Sequence, residues 1–198
     1  MIATHKRSLA CKKLLADVHA ITAKEGITPS ALHALKLKLV ALAAKKELFP
    51  LADFAMPVAE GRTHPLLVED NDGLGLYLTI SLPGKEAAPH DHGIWCINAA
   101  VSGRERHKFF RRTDNLAKPG YATVEQVGEV MVEPGSGMAM ADHDIHSTVV
   151  VGDEPAIGLA LYGYALVRFP SVAWYVPQFN SVRATPSRRH AAMAGGAL

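Results

Sequence analysis

The spacing of apolar residues changes near residue 60, and this change constrains the fold more than any other feature of the sequence. Upstream, apolar residues recur every three or four positions, which is the spacing of one face of an α-helix. That pattern runs over about 6–25 and 28–49, and it stops at Gly26 and again before Pro50. Downstream, short segments alternate apolar and polar residues, as β-strands do. The sequence therefore predicts two helices followed by a β-rich remainder.

Six to eight short strands are predicted after residue 60, with turns of proline and glycine between them. They cover 74–82, 94–102, 104–111, 121–133, 146–151, 156–167 and 172–176. Short strands with such turns indicate a sandwich or an antiparallel barrel. We expect a helical segment over 1–55 that packs on a barrel over 56–180, and a flexible tail over 181–198.

Composition limits the kinds of partner that the chain can have. With 198 residues, 48% of them hydrophobic and 20% charged, it has the makeup of one globular domain. The net charge of +2 predicts neither a nucleic-acid nor a membrane surface. Cys11 and Cys96 do not form a disulfide framework, so a cytoplasmic protein, monomeric or homodimeric, is expected.

Two histidines separated by one residue, His90 and His92, indicate a functional site. Residues two apart in a strand point to the same side, so both imidazoles would face one point, and His146 begins a later strand. Imidazole binds iron, zinc, copper and nickel, and three such ligands leave positions open for a substrate. A chance pair of surface histidines is the alternative. His143, three residues before His146, is a second candidate for the third ligand.

The residues around these histidines resemble the motifs of the thiol dioxygenases, the cysteine dioxygenase family of cupins. The resemblance covers about 60–175 and lies in Pro83-Gly84, His90-Asp91-His92-Gly93-Ile94-Trp95, Gly103, Asp144-Ile145-His146 and Tyr162-Gly163. It implies a cupin double-stranded β-helix, a jelly-roll barrel, with Fe(2+) bound by His90, His92 and His146. Most cupins add a glutamate ligand shortly after the second histidine. Residues 93–97 offer none, as in the thiol dioxygenase branch.

The resemblance also implies an activity. The protein is expected to be a non-heme Fe(II) dioxygenase that uses O2 to convert a small thiol, cysteine-like or 3-mercaptopropionate-like, to its sulfinic acid. Tyr162 would donate a hydrogen bond to oxygen or substrate. Cys96 is either a plain buried residue or, as in animal-type members, a partner for a thioether to that tyrosine. Gly158 and Ala160 stand where mercaptopropionate-type relatives have serine and histidine, which departs from the family pattern.

Substrate binding is expected from Arg62, Arg168 and Trp95. A guanidinium suits a carboxylate, and the two arginines lie near the positions used by cysteine and mercaptopropionate dioxygenases respectively. The alternative for each arginine is a solvated position on the protein surface, and the alternative for Trp95 is packing on the outside of the barrel. His107 is predicted to lie on a solvated strand face. Two other functions fit the same histidines: a three-histidine cupin that cleaves diketones or aromatic rings, and a non-catalytic metal-binding cupin.

Overall fold

The computed structural model of the chain describes residues 2–58, 61–84, 86–166, 171–177 and 180–186. It begins with two helices, α1 (Ile2–Glu25) and α2 (Pro29–Ala43), followed by short 3-10 turns at Lys46–Leu48 and Leu51–Asp53. Thr28 caps α2, because its hydroxyl oxygen accepts a hydrogen bond from the Ala31 amide at 3.1 Å. Both predicted helices and the predicted N-cap are confirmed. No helix within the described ranges is both long and apolar enough to cross a membrane.

Twelve strands follow within the described residues: β1 (Arg62–Thr63), β2 (Leu66–Glu69), β3 (Gly75–Ser81), β4 (His90–Asp91), β5 (Cys96–Ser102), β6 (Glu105–Arg112), β7 (Val124–Val132), β8 (Gly137–Met140), β9 (Ile145–Val150), β10 (Ala156–Tyr162), β11 (Ser171–Val176) and β12 (Ser181–Pro186). They form two antiparallel sheets. The first sheet has the order β1-β3-β10-β5-β8, with β2 beside β3, and the second has the order β12-β11-β4-β9-β6-β7. The predicted mainly β, double-stranded β-helix fold with N-terminal helices is confirmed.

The first sheet is buried on both faces. One face carries aliphatic side chains that are fully buried, and α2 packs against it across β5, β8 and β10. These side chains belong to Leu76, Leu78, Ile80, Ile97, Leu159 and Leu161. The alternate positions of the same strands, among them Tyr77 and Tyr162, face the second sheet, and the Tyr162 ring lies 5.4 Å from the His92 ring. The helices thus shield the back of the sheet whose front faces the histidines.

The C-terminal end differs from the expectation. Residues 181–186 were expected to begin a flexible tail, but they form β12 and pair along their whole length with β11. The alternating sequence of 181–186 fits an edge strand, and a proline is tolerated at the end of one. The remainder of the predicted tail lies outside the described residues.

Candidate metal centre

The structure brings His90, His92 and His146 together. One ring nitrogen of each lies within 4.8 Å of the others, a group that could hold a metal ion. His90 and His146 are direct cross-strand partners on β4 and β9, which places their side chains on one face of the second sheet. His92 follows the end of β4, so its position comes from a turn and not from strand alternation. In that turn the Asp91 carboxylate accepts a hydrogen bond from the Gly93 amide at 2.7 Å.

Hydrogen bonds fix which nitrogens converge. His90 donates from Nδ1 to the Ala88 carbonyl oxygen at 2.9 Å, which leaves the lone pair of its Nε2 available to a metal. The Nε2 atoms of His92 and His146 face each other at 3.3 Å. The ring of Trp174, the strand partner of His90 on β11, packs against the His90 ring, with centroids 4.4 Å apart. The lone pairs of three imidazoles therefore meet in one small volume.

Burial keeps these imidazoles neutral. Removal from water is the main cause that lowers the pKa of His90 to about 4 and the pKa of His92 to about 3. It also lowers the pKa of His146 well below its ordinary value, and the neighbouring histidines and Arg62 act in the same direction. At neutral pH all three side chains are in the uncharged form that binds a metal.

The donor set contains no carboxylate among the described residues. Asp91, the nearest acid in the sequence, accepts hydrogen bonds from the Gly93 amide and from the Tyr175 hydroxyl at 3.2 Å. Three imidazoles suit iron, zinc, copper or nickel, and they leave the double charge of such an ion uncompensated. The site fits a divalent transition metal, and its donors do not by themselves select one.

Cys96 and Tyr162 come from the first sheet, opposite the histidines. They are direct partners in the register of β5 and β10, so their side chains share a face. Both are buried, and burial raises the pKa of the Cys96 thiol and of the Tyr162 hydroxyl, so both hold their protons at neutral pH. Cys96 does not continue the strand of His90 to the metal group, because β4 and β5 belong to different sheets and Gly93, with φ of +63°, lies between them. Its position comes from pairing with β10.

Trp95 lies in the main apolar core, 7% exposed, and not on the protein surface. It packs against Gly163, whose amide donates to the Trp95 carbonyl oxygen at 3.2 Å. A direct contact between Trp95 and a substrate stays a prediction.

Replacement of Gly163 by alanine is expected to destabilise the protein by about 1–3 kcal/mol. A Cβ atom there would lie 2.5 Å from Nε1 of Trp95 and 2.7 Å from its Cε2, so the indole would have to move. Urea unfolding measures the change. Gly128→Ala is the matched control, because no atom lies within 4 Å of its added Cβ. Equal unfolding midpoints for the two variants would contradict this packing.

Arg62 lies between the sheets. Its Nη2 donates to Thr148 Oγ1 at 2.8 Å and also to the Glu105 carboxylate. Burial alone would raise the pKa of Glu105, but Arg62 and His107 outweigh burial and lower that pKa to about 2. Arg168 lies outside the described residues.

His107 was predicted to be solvated, and this was wrong. It is 1% exposed, and its Nδ1 lies 3.4 Å from Nδ1 of His146. The spacing Glu105-x-His107 on a strand was the available signal, because it puts both side chains on the inner face. His143 is exposed, in a turn with φ of +67°, and does not belong to the metal-binding group.

No protein-family model matches the chain, and no curated protein matches it in sequence. Solved structures are similar to part of it. A double-stranded β-helix protein from Klebsiella pneumoniae is 16% identical over 58% of this chain and 81% of that one, with a TM-score of 0.41. A cupin superfamily protein from Desulfitobacterium hafniense is 12% identical over 58% and 87%, with a TM-score of 0.40. An oxalate oxidase is 14% identical over 56% and 55%, with a TM-score of 0.43. Similarities this low say nothing about the chemistry of this chain.

Proposed function

We propose that the protein is an iron-dependent thiol dioxygenase that converts a small thiol to its sulfinic acid with O2. The observation that supports this function best is the site itself: within the described residues the metal-binding group consists of three neutral histidines, and the buried Tyr162, the strand partner of Cys96, has its ring 5.4 Å from that of His92. In this proposal His90, His92 and His146 hold ferrous iron. Tyr162 and Cys96 would lie beside the bound substrate, on the side of the metal group that faces the first sheet.

The charge of the ligand set favours this substrate class. A divalent ion held by three neutral imidazoles keeps its full charge, so it attracts an anionic sulfur more strongly than an ion already paired with a carboxylate. Bound iron would supply the redox step, in which one thiol and one O2 give one sulfinic acid with both oxygen atoms on sulfur. The protein would hold the substrate and exclude water.

Tyr162 is suited to donate a hydrogen bond to a substrate or to O2 bound beside the histidines. Burial and the nearby Cys96 raise the pKa of its hydroxyl, so the phenol keeps its proton at neutral pH. Its ring stands 5.4 Å from His92 and 5.9 Å from Tyr77, which fixes the ring on the side of the metal group that faces the first sheet. A thiol substrate or O2 beside the histidines would meet this donor.

Arg62 is the proposed anchor for a substrate carboxylate. Within the described part of the chain its hydrogen bonds to protein partners all leave from Nη2, so Nη1 and Nε have donors to offer. Glu105 offsets part of its charge, which makes the anchor weaker than an unpaired arginine would be. Arg168 stays the second candidate.

Oxygen-electrode assays of the protein loaded with iron under anaerobic conditions test the function. We expect O2 uptake with cysteine or 3-mercaptopropionate, with one sulfinic acid formed per O2, and slower uptake with cysteamine, which lacks a carboxylate for Arg62. Uptake with diketones alone would instead indicate a carbon–carbon cleaving enzyme. No uptake with any compound by the iron-loaded protein would indicate a non-catalytic metal-binding protein.

A thioether between Cys96 and Tyr162 is expected to form during turnover. The two residues are direct cross-strand partners. The Cβ atoms of such partners lie about 4.5–5.5 Å apart. Formation of the C–S bond removes one hydrogen from the thiol and one from the ring, and one O2 takes up both hydrogens and two electrons as H2O2. Intact-mass measurement and peptide mapping after turnover should show the loss of two hydrogens. Cys96→Ala is the control that cannot lose them, and an unchanged mass of the active wild-type protein would refute the cross-link.

A further inference from the structure

We propose that His107, supported by Glu105 and Arg62, is a positioning residue that sets the tautomer and orientation of the third metal ligand, His146. The inference rests on the metal centre of the proposed function, but not on the reaction catalysed there. It concerns four side chains in series, Arg62, Glu105, His107 and His146, of which the two histidines are buried, and they join the first sheet to the ligand set.

The geometry of the two imidazoles is that of a hydrogen bond in the ring plane. Their rings are inclined by only 14°, with centroids 5.6 Å apart, while the two Nδ1 atoms are 3.4 Å apart. The nitrogen separation is shorter than the centroid separation by almost twice the radius of an imidazole ring. Both Nδ1 atoms therefore lie close to the line that joins the centroids. The rings of His107 and His146 meet edge to edge, where an N–H of one points at the lone pair of the other.

Metal binding decides which of them donates. Nε2 of His146 faces Nε2 of His92 in the ligand group, so it must present a lone pair to the ion and its proton must be on Nδ1. That N–H needs an acceptor, and Nδ1 of His107 is the atom opposite. A neutral imidazole has one donor and one acceptor nitrogen, so the proton of His107 must be on Nε2.

Glu105 places a carboxylate beside that second proton, at a distance longer than a hydrogen bond. Its Oε2 lies 3.7 Å from Nε2 of His107, and its Oε1 accepts from Arg62. Nε2 of His107 is buried and makes no hydrogen bond within the described residues, so the Glu105 carboxylate acts on it through its charge. An ionised carboxylate can only accept, so it favours the Nε2–H form of His107. The proton positions on His146 and His107 then follow from the metal at one end of the chain and the Glu105 carboxylate at the other.

Strand pairing holds the chain in place. Thr148 is opposite His107 and His146 is opposite Phe109 in the register of β6 and β9, so His107 and His146 are diagonal neighbours on the inner face. Arg62 reaches across from the first sheet and also donates to Thr148. Residues of both sheets thus hold His146, the third ligand, in position.

The tautomers can be read directly in the full-length protein. We use Zn²⁺ as a diamagnetic probe and record histidine ring NMR spectra of the ¹⁵N-labelled protein. The expected result is a proton on Nδ1 of His146 and on Nε2 of His107. Zinc binding with the proton of His107 on Nδ1 would overturn the inference alone. A wild-type chain that binds no zinc would overturn the metal centre and this inference together.

Variants test the effect on affinity by calorimetric titration with Zn²⁺. His107→Leu removes the acceptor and is expected to weaken binding by about 10–100-fold, the usual range for a residue that orients a ligand. His107→Asn keeps an oxygen near the position of Nδ1 and should recover much of the affinity. Equal losses in the two variants would indicate a packing role and refute the proposal.

Glu105→Gln and the exposed His33→Leu complete the set. Glu105→Gln retains the side-chain volume but replaces the obligate acceptor, so it should weaken zinc binding and reduce the preference for Nε2–H at His107 in the same NMR spectra. It provides the test if His107→Leu does not fold. His33→Leu, on the outer face of α2, should leave both readouts unchanged. A wild-type affinity for Glu105→Gln, with unchanged tautomers, would contradict the role of Glu105.

Discussion

Replacement of His90 by alanine is expected to weaken iron binding by more than about a hundredfold, because loss of a direct ligand should cost more than the 10–100-fold of an outer residue. His90 contributes one of the three nitrogens that lie within 4.8 Å of one another. The two that remain cannot surround an ion, and thiol-dependent O2 uptake should disappear with the iron. Metal analysis after desalting measures the first effect, and the oxygen electrode measures the second.

His143→Asn is the matched control for this experiment. His143 lies three residues before His146 but is exposed, and asparagine tolerates its positive φ. This variant should retain one iron per chain and wild-type activity. Stoichiometric iron in His90→Ala, or its loss in His143→Asn, would refute the ligand assignment.

The metal-free protein is expected to lose stability steeply as the pH falls below about 6.5. Burial lowers the pKa of His90 to about 4 and that of His92 to about 3, from an ordinary value of 6.5, and the pKa of His146 moves in the same direction. Between these values and 6.5 the unfolded chain binds protons that the folded chain excludes. The free energy of unfolding therefore falls as pH falls, by up to about 1.4 kcal/mol per pH unit for each histidine.

With three such histidines, the free energy of unfolding is expected to fall by about 4 kcal/mol per pH unit at most. This is large compared with the typical free energy of unfolding of a protein, about 5–15 kcal/mol. Glu105 extends this loss of stability to pH values below 4.5, because its pKa in the folded protein, about 2, lies below the ordinary value of 4.5. Urea unfolding of the metal-free protein at pH 7, 6 and 5 measures the slope. His90→Gln should reduce it by about one third, and the exposed His33→Gln should not change it. A stability independent of pH across this range would contradict the neutral, buried state of the ligands.

Local periodicity was sufficient to predict the long elements of the fold. Both helices and the longer strands, such as β3, β6 and β10, show their spacing over seven or more residues. The strands β1 and β4 have two residues each, too few to show any alternation, and they exist because they pair with longer neighbours. The same reason accounts for β12: its short alternating sequence fits a strand, but its pairing with β11 is a contact between segments that the local sequence does not specify.

The residues of the candidate site also divide into those that the local sequence predicts and those that depend on distant strands. The spacing His90-x-His92 and the position of His146 before an apolar run led to the three histidines that the structure brings together. His107 was missed because its burial depends on β9, whose His146 is 39 positions away in sequence. The basic residues after it, including Lys108, suggested a solvated face, although Lys108 is itself paired with Glu86 at 2.8 Å.

His90 and His146 of the candidate metal centre stand on one sheet and His92 follows the end of a strand of that sheet, whereas Cys96 and Tyr162 stand on the sheet that faces it. In the proposed function, the capacity to hold an ion and the capacity to react would therefore be carried by separate sheets. Mutational drift could erase the second while the first survives, and a descendant chain would then keep its ion as a sensor or a store.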